Sequence, residues 1–311
     1  MALQRPPRIA IGPEPDATFG QAVTAGGGVV VPVDTDPDAL VWTAMPEGFP
    51  DALPASVRWV QIPSAGVEQW LARGIVKAHP QVRWTCGAGA YSATVAEHAL
   101  TLLLAGVRAL PQHLAARAWT PEAFSGHIGT LRGSTVAIIG AGGVGRALIP
   151  MLIPFGATAL AVNRSGRPVP GAAETIPVDR IDEIWPVADH VVLAAPATAA
   201  TEHMIGADEF AAMKPSSWLI NVARGTLVDT DALVVALRDG TIAGAGLDVV
   251  DPEPLPDGHP LWSLTNAMIT PHDANPATVW VPAYADRVTE NVTRFASGVD
   301  LLAEIDIGAG Y

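Results

Sequence analysis

From residue 134 onward the chain repeats one phrase: a short, nearly continuous apolar run, then a helical pattern, then another apolar run. The apolar runs cover residues 135–139, 157–162, 190–194, 218–222, 242–247 and 267–270. A half-exposed strand alternates apolar and polar residues, whereas a strand buried on both faces reads as one unbroken apolar stretch. Helical patterns over 144–154, 181–187, 207–213 and 230–238 lie between them. Strands joined by single helices pair in parallel and take helices on both faces. The expectation is one doubly wound α/β unit of six strands.

The first hundred residues repeat the style more loosely, with strands expected at 8–11, 28–33, 39–43, 57–62 and 82–86. Residues 93–108 read as one long helix with Pro111 just past its end, and 279–297 as another that stops at Gly298, a common helix terminator. A chain that starts in one domain, completes a second and returns by a last helix has two crossings and a cleft between lobes. The domains expected are therefore 1–108 plus 279–311, and 109–278. Halving 311 residues would instead cut the second domain in its middle.

Composition excludes several classes of function. With 31 acidic against 18 basic residues the net charge is −13, which repels nucleic-acid backbones and anionic membranes. The chain is 49% hydrophobic, but its longest suspicious stretch, 147–162, is bounded by Arg146 and Arg164 and broken by Pro150, Pro154 and Gly156. That falls short of the roughly 20 residues a bilayer requires. A four-residue apolar run before Gly12 and Pro13 is too short for a signal-peptide core. The single cysteine, Cys86, permits no intrachain disulfide and reads as a small buried hydrophobe. A cytoplasmic protein is expected.

After the run 135–139 comes Gly140-Ala-Gly142-Gly143-Val144-Gly145, then a helical pattern. In this G-x-G-x-x-G the first glycine makes a tight turn, the second lets backbone approach a pyrophosphate, and the third packs helix on sheet. The helix N-terminus then faces the phosphates. A carboxylate about 20 residues on normally holds the adenosine ribose. Here the second strand ends in Asn163-Arg164-Ser165-Gly166-Arg167. Asn163 stands where the carboxylate belongs, and Arg164, Ser165 and Arg167 suit a 2′-phosphate. NADP(H) is expected as the preferred cofactor, with NAD(H) usable.

In an open α/β sheet ligands sit beyond the carboxyl ends of the strands. Arg224, Glu253 and His272 follow three successive runs there. Together they suit hydride transfer at a carbon bearing an oxygen and an adjacent carboxylate. Arg224 binds the carboxylate and polarises the carbonyl, His272 exchanges a proton with the oxygen, and Glu253 favours the imidazolium and orients the ring. This chemistry needs no metal.

These motifs and their spacing resemble those of the D-isomer-specific 2-hydroxyacid dehydrogenase family over most of the chain. The resemblance covers the glycine loop, Val95-Ala-Glu97-His98, Ala195-Pro196-Ala-Thr198 with Thr201, Asn221-Val222-Ala223-Arg224-Gly225, Asp248 through Glu253-Pro254, and Thr270-Pro271-His272. Arg224 to Glu253 is 29 positions (253 − 224) and Glu253 to His272 is 19 (272 − 253). The resemblance implies a Rossmann doubly wound cofactor domain inserted in a flavodoxin-like substrate domain. It makes Arg224, Glu253 and His272 the catalytic set, and adds Ala195, Pro196, Thr201, Val222, Ala223 and Asp248 to the cofactor site, Asp248 on the nicotinamide side. Backbone amides of a loop like Ser64-Ala65-Gly66-Val67 hold the substrate carboxylate in the family, here followed by Glu68 where Asp is usual.

By the same resemblance, Glu253 rather than glutamine argues against the formate dehydrogenase branch. Residues 64–68 and 87–92 contain no Arg or Lys, so a phosphorylated substrate lacks a partner, and no regulatory domain is expected after the return helix. Small 2-oxo acids such as glyoxylate, hydroxypyruvate or an alkyl- or phenyl-pyruvate are expected, converted to D-2-hydroxy acids by a homodimer. Tyr91 and Trp119 are pocket candidates, Trp119 from the partner subunit, with core packing as the alternative for both. Two departures stand out: polar Asp273-Ala274-Asn275-Pro276 after the histidine, and an apolar helix carrying Pro150. The rival reading is a cofactor-sensing, corepressor-like binding protein of the same fold.

Overall fold

The computed structural model describes residues 4–119, 122 and 126–310. Its contacts divide the chain into two compact units, Met1–Tyr91 with Pro276–Tyr311, and Ser92–Asn275.

The first unit runs β1 (Arg8–Gly12), α1 (Ala17–Ala25), β2 (Val29–Val30), β3 (Ala39–Trp42), β4 (Trp59–Gln61), α2 (Glu68–Ala72), α3 (Ile75–Ala78) and β5 (Arg83–Thr85). Its five strands are parallel in the order β2-β1-β3-β4-β5, the flavodoxin-like arrangement. β3 and β4 are buried throughout; β3 reads as an unbroken apolar run, whereas β4 carries the buried polar side chain of Gln61. Asp16 caps α1 by accepting from the amides of Thr18 and Phe19. The thiol of Cys86 is buried, and burial pushes its pKa up, so it behaves as a small hydrophobe.

The second unit runs α4 (Ser92–Val107), α5 (Leu110–Ala115), β6 (Thr135–Ile139), α6 (Gly143–Leu152), β7 (Thr158–Asn163), β8 (Glu174–Pro177), β9 (His190–Leu193), α7 (Ala207–Ala212), β10 (Trp218–Asn221), α8 (Thr230–Arg238), β11 (Gly244–Leu247) and β12 (Ala267–Ile269). The chain then returns to the first unit as α9 (Ala277–Ser297), stopped by Gly298 at φ 68°. There the Tyr284 hydroxyl donates to the carbonyls of Trp42 and Gln61 at 2.8 and 3.0 Å, pinning α9 to the first sheet.

The second sheet has seven parallel strands in the order β12-β11-β10-β9-β6-β7-β8. The strand order reverses between β6 and β9, the switch point where ligands bind in such sheets. One more strand is present than the six expected. β8 escapes the apolar-run criterion because it is an edge strand with only Ile176 fully buried and a proline at its end. The helix expected at 181–187 is instead a 3₁₀ segment, Val178–Glu183, while Pro111 lies past the end of α4 as expected, in the first turn of α5.

α4 counts with the second unit, although the motifs assign 92–108 to the first domain. Close packing explains its allegiance. A Cβ on Gly106 would lie 2.4 Å from the Trp218 ring, and one on Gly246 3.0 Å from Cβ of Leu102. Small residues on helix and strand let their backbones approach closely. The apolar helix with Pro150 is α6, whose Leu148, Ile149 and Leu152 share a buried cluster with Leu102 and Leu103 of α4. Among the described residues no helix is long and apolar enough to cross a membrane, and no group of three or more His, Cys, Asp or Glu could hold a metal ion.

Candidate active site

The turn between β6 and α6 is built for close approach. Gly140 sits at φ 92°, and a Cβ there would meet the Ala195 amide nitrogen at 2.3 Å. A Cβ on Gly142 would meet nothing within 4 Å, so the space above it is open. No side chain caps α6, leaving the amides of its first turn to an outside acceptor. An open cradle with uncapped amides at a helix N-terminus fits a dinucleotide pyrophosphate.

The loop after β7 is organised by its own side chains. Asn163 Nδ2 donates to the Arg167 carbonyl at 2.8 Å and its Oδ1 accepts from the Ser165 amide at 3.1 Å. Asn163 therefore shapes the loop instead of offering its amide outward, while Arg164, Ser165 and Arg167 are exposed. Thr201 is likewise a brace: its hydroxyl donates to the Pro196 carbonyl at 2.8 Å and accepts from the Thr198 amide at 2.8 Å. Ala195, Val222 and Ala223 are buried at the ends of β9 and β10, and Pro196 is exposed.

Beyond β10, Asn221 folds the chain around Arg224. Its Nδ2 donates to the Arg224 carbonyl at 2.9 Å, and its Oδ1 accepts from the Ala223 amide at 3.0 Å. The half-buried guanidinium donates through Nη1 to the Ala223 carbonyl at 2.6 Å. Glu253, after β11, and His272, after β12, meet directly, with Nδ1 2.7 Å from Oε1 and side chains 49% (His272) and 41% (Glu253) exposed. With Nδ1 held by the carboxylate, Nε2 is the nitrogen that faces any other partner.

Asp248 is only 2% exposed at the side chain. It accepts from the Thr270 hydroxyl at 2.6 Å and from the amides of Asp273 and Ala274 at 2.9 and 3.2 Å. Burial raises its pKa, but the hydrogen bonds from His98, Thr270 and those amides outweigh burial and hold the carboxyl below its ordinary value. Both its oxygens are thus engaged by the protein itself, a role its spacing in the sequence does not show.

In the first unit, Ala65 and Gly66 follow β4. The loop is tied down on either side of them: the Gly87 amide donates to the Ser64 carbonyl at 2.8 Å, the Trp70 indole to the Ser64 hydroxyl at 3.2 Å, and Val67 is buried. Of the two readings for Tyr91, pocket lining or core packing, the structure shows core packing, with the hydroxyl donating to the Pro63 carbonyl at 2.6 Å. Trp119 is 98% exposed. The loop 87–92 lacks cations in its own sequence, yet Arg287 of α9 donates to the Ala88 carbonyl at 2.8 Å. A cation 199 positions away carries no local signal in the sequence.

Residues 99–274 match the family described as D-isomer specific 2-hydroxyacid dehydrogenase, NAD binding domain. A protein of Corynebacterium melassecola, known only as an uncharacterized protein in the proB 3′ region, is 42% identical over 93% of this chain and 95% of its own. Human glyoxylate reductase/hydroxypyruvate reductase is 36% identical over 71% of this chain and 69% of its own. Among solved structures, a D-isomer specific 2-hydroxyacid dehydrogenase from Xanthobacter autotrophicus Py2, in complex with NADPH and MES, superposes with a TM-score of 0.81 at 27% identity, covering 98% of this chain and all of that one. The chain belongs to the D-isomer specific 2-hydroxyacid dehydrogenase family. It is an NAD(P)-dependent 2-hydroxyacid dehydrogenase.

Proposed function

We propose that this enzyme reduces a small, unphosphorylated 2-oxo acid to its D-2-hydroxy acid, with NADP(H) preferred over NAD(H). The observation that carries the reading is the 2.7 Å contact of His272 with Glu253, beyond the strand that follows Arg224. The nicotinamide cofactor supplies the hydride. Arg224 binds the substrate carboxylate and polarises the carbonyl, and the amides of Ala65 and Gly66 hold the same carboxylate. His272 Nε2 gives its proton to the carbonyl oxygen, while Glu253 at Nδ1 stabilises the imidazolium and fixes the tautomer.

Gly140, Gly142, Gly143, Val144 and Gly145 form the pyrophosphate cradle, Ala195, Pro196, Thr201, Val222, Ala223 and Asp248 line the remaining cofactor path, and Arg164, Ser165 and Arg167 meet the 2′-phosphate from the loop that Asn163 closes. Exposure of these two arginines, in a chain of net charge −13, supports the preference for the more anionic cofactor. Glyoxylate and hydroxypyruvate head the substrate list because relatives bear those names. A homodimer in the cytoplasm completes the reading, supported by exposed Leu110, Leu114, Trp119 and Ile128, which fall close together in the sequence and are costly to leave in water.

The experiment is NADPH and NADH consumption with a panel of 2-oxo acids, scored for product handedness, on protein sized by light scattering. A D-product formed more efficiently with NADPH is expected. No turnover with any 2-oxo acid overturns the reading, and a tenfold preference for NADH overturns its cofactor part.

A further inference from the structure

The mechanism leaves the Val95-Ala-Glu97-His98 motif without a task, and its histidine reaches the end of β11. Nε2 of His98 lies 2.9 Å from Oγ1 of Thr270 and 3.4 Å from Oδ1 of Asp248. Thr270 has one hydroxyl proton and donates it to Asp248 at 2.6 Å. Its oxygen therefore accepts from His98, and Nε2 carries a proton.

The relay continues into the backbone. Asp248 accepts through its own carbonyl from the His272 amide at 2.8 Å, and through its carboxylate from the amides of Asp273 and Ala274. Three successive amides are gathered on one residue. His272 sits at φ 53°, in the left-handed region that side chains with a Cβ enter at a cost of order 1 kcal/mol or more. A bond on the residue itself and one on each of the next two hold the chain there.

Helix and strand geometry explains why His98 is the residue at this place. Leu102 meets Gly246, and Gly106 meets Trp218, whose ring also fills the space beside Gly244. Four residues of helix advance about 6 Å and two residues of strand about 6.6 Å. Stepping one more turn along α4 from Leu102, and two more residues along the strand from Gly246, brings His98 to Asp248. The approach permitted by the glycines of β11 thus delivers an N–H donor to the end of that strand.

We infer that His98 is a positioning residue for the reaction. Through Thr270 it orients the Asp248 carboxylate that clamps residues 272–274, and the clamp holds the imidazole of His272 where its Nδ1 meets Glu253. The inference rests on the assignment of His272 as the proton donor, and the test separates the two.

Steady-state glyoxylate reduction with NADPH is measured for full-length His98→Leu, His98→Gln, Thr270→Val, the His98→Leu/Thr270→Val pair and His272→Ala, each with its thermal unfolding curve. His98→Leu and Thr270→Val each lower kcat by about 10- to 100-fold, the scale of a small misplacement of a reacting group, while both KM values stay within about threefold. The pair loses no more than the worse single variant, because both break one relay. His98→Gln, whose amide N–H reaches the place of Nε2, recovers most of kcat.

Wild-type kcat in His98→Leu and Thr270→Val, in a protein that His272→Ala inactivates, overturns the inference and leaves the assignment of His272 standing. Wild-type kcat in His272→Ala overturns that assignment itself. A fall in unfolding temperature shared by both His98 variants with kcat unchanged makes the cluster a purely structural one and also overturns the inference. If His98→Leu does not fold, the nearly isosteric Thr270→Val decides, with unchanged kcat counting against it.

Discussion

At the carboxyl ends of β4 and β5 the first unit presents backbone: the Ala65-Gly66 turn, tied through Ser64 to Gly87, and a loop propped by Arg287. At the ends of β10, β11 and β12 the second unit presents side chains: Arg224, Asp248, Glu253 and His272, each set by a named hydrogen bond. Both sheets are parallel and carry buried strands, so the contrast does not come from the fold. On the proposed function it comes from the task each loop is given. An oxyacid's carboxylate can be held by N–H groups that every residue owns, whereas proton exchange and charge stabilisation need particular side chains.

The comparison can be broken or sharpened in order of effect. If His272 is the proton donor as proposed, replacing it by Ala lowers kcat for 2-oxo acid reduction by roughly 10³-fold in a steady-state assay. Arg224→Gln deletes the proposed charge-assisted contact with the carboxylate, and kcat/KM drops by about 10- to 100-fold, read in the same assay. The double variant Arg164→Ser/Arg167→Ser loses about tenfold in kcat/KM with NADPH and leaves the value with NADH nearly unchanged. Ala65→Ser keeps the amide and alters only the side chain, so kcat and KM stay within about twofold; a large loss would show that the first unit also works through side chains.

A control for these variants is stability rather than turnover. His190, buried at the start of β9, has its pKa pushed down to about 4, chiefly by burial, with Asp189 opposing. Its folded-state value lies below the ordinary histidine value of 6.5, so the unfolded chain binds the extra proton between pH 6.5 and 4. Stability from this group is complete above pH 6.5 and declines as pH falls through that window, by at most about 1.4 kcal/mol per unit. His190→Phe flattens that part of the unfolding-temperature profile.

How much the sequence reveals follows the same division. Strands buried on both faces are legible at once: the run over 135–139 is β6, and 230–238 is α8. β8 is hidden because an edge strand needs only one buried residue. The glycine turn is legible because only glycine fits beside the Ala195 backbone. Glu253 and His272 are legible as residues at strand ends, 19 positions apart. The hydrogen-bonded cluster of Asp248, Thr270 and His98 is not, because it depends on a helix crossing a strand at matching pitch, with partners 172 positions apart. Asn163 and Thr201 read as ligand contacts by position, and that each also braces its own loop carries no sequence signal.

The central claim is that Glu253 and His272 act as one acid–base unit of the second domain. Steady-state reduction of glyoxylate by Glu253→Gln, His272→Ala and the double variant tests it directly. If the carboxylate acts only through the imidazole, the double variant turns over no more slowly than His272→Ala alone. Losses that multiply, with the double variant slower by the full factor of Glu253→Gln, would contradict it.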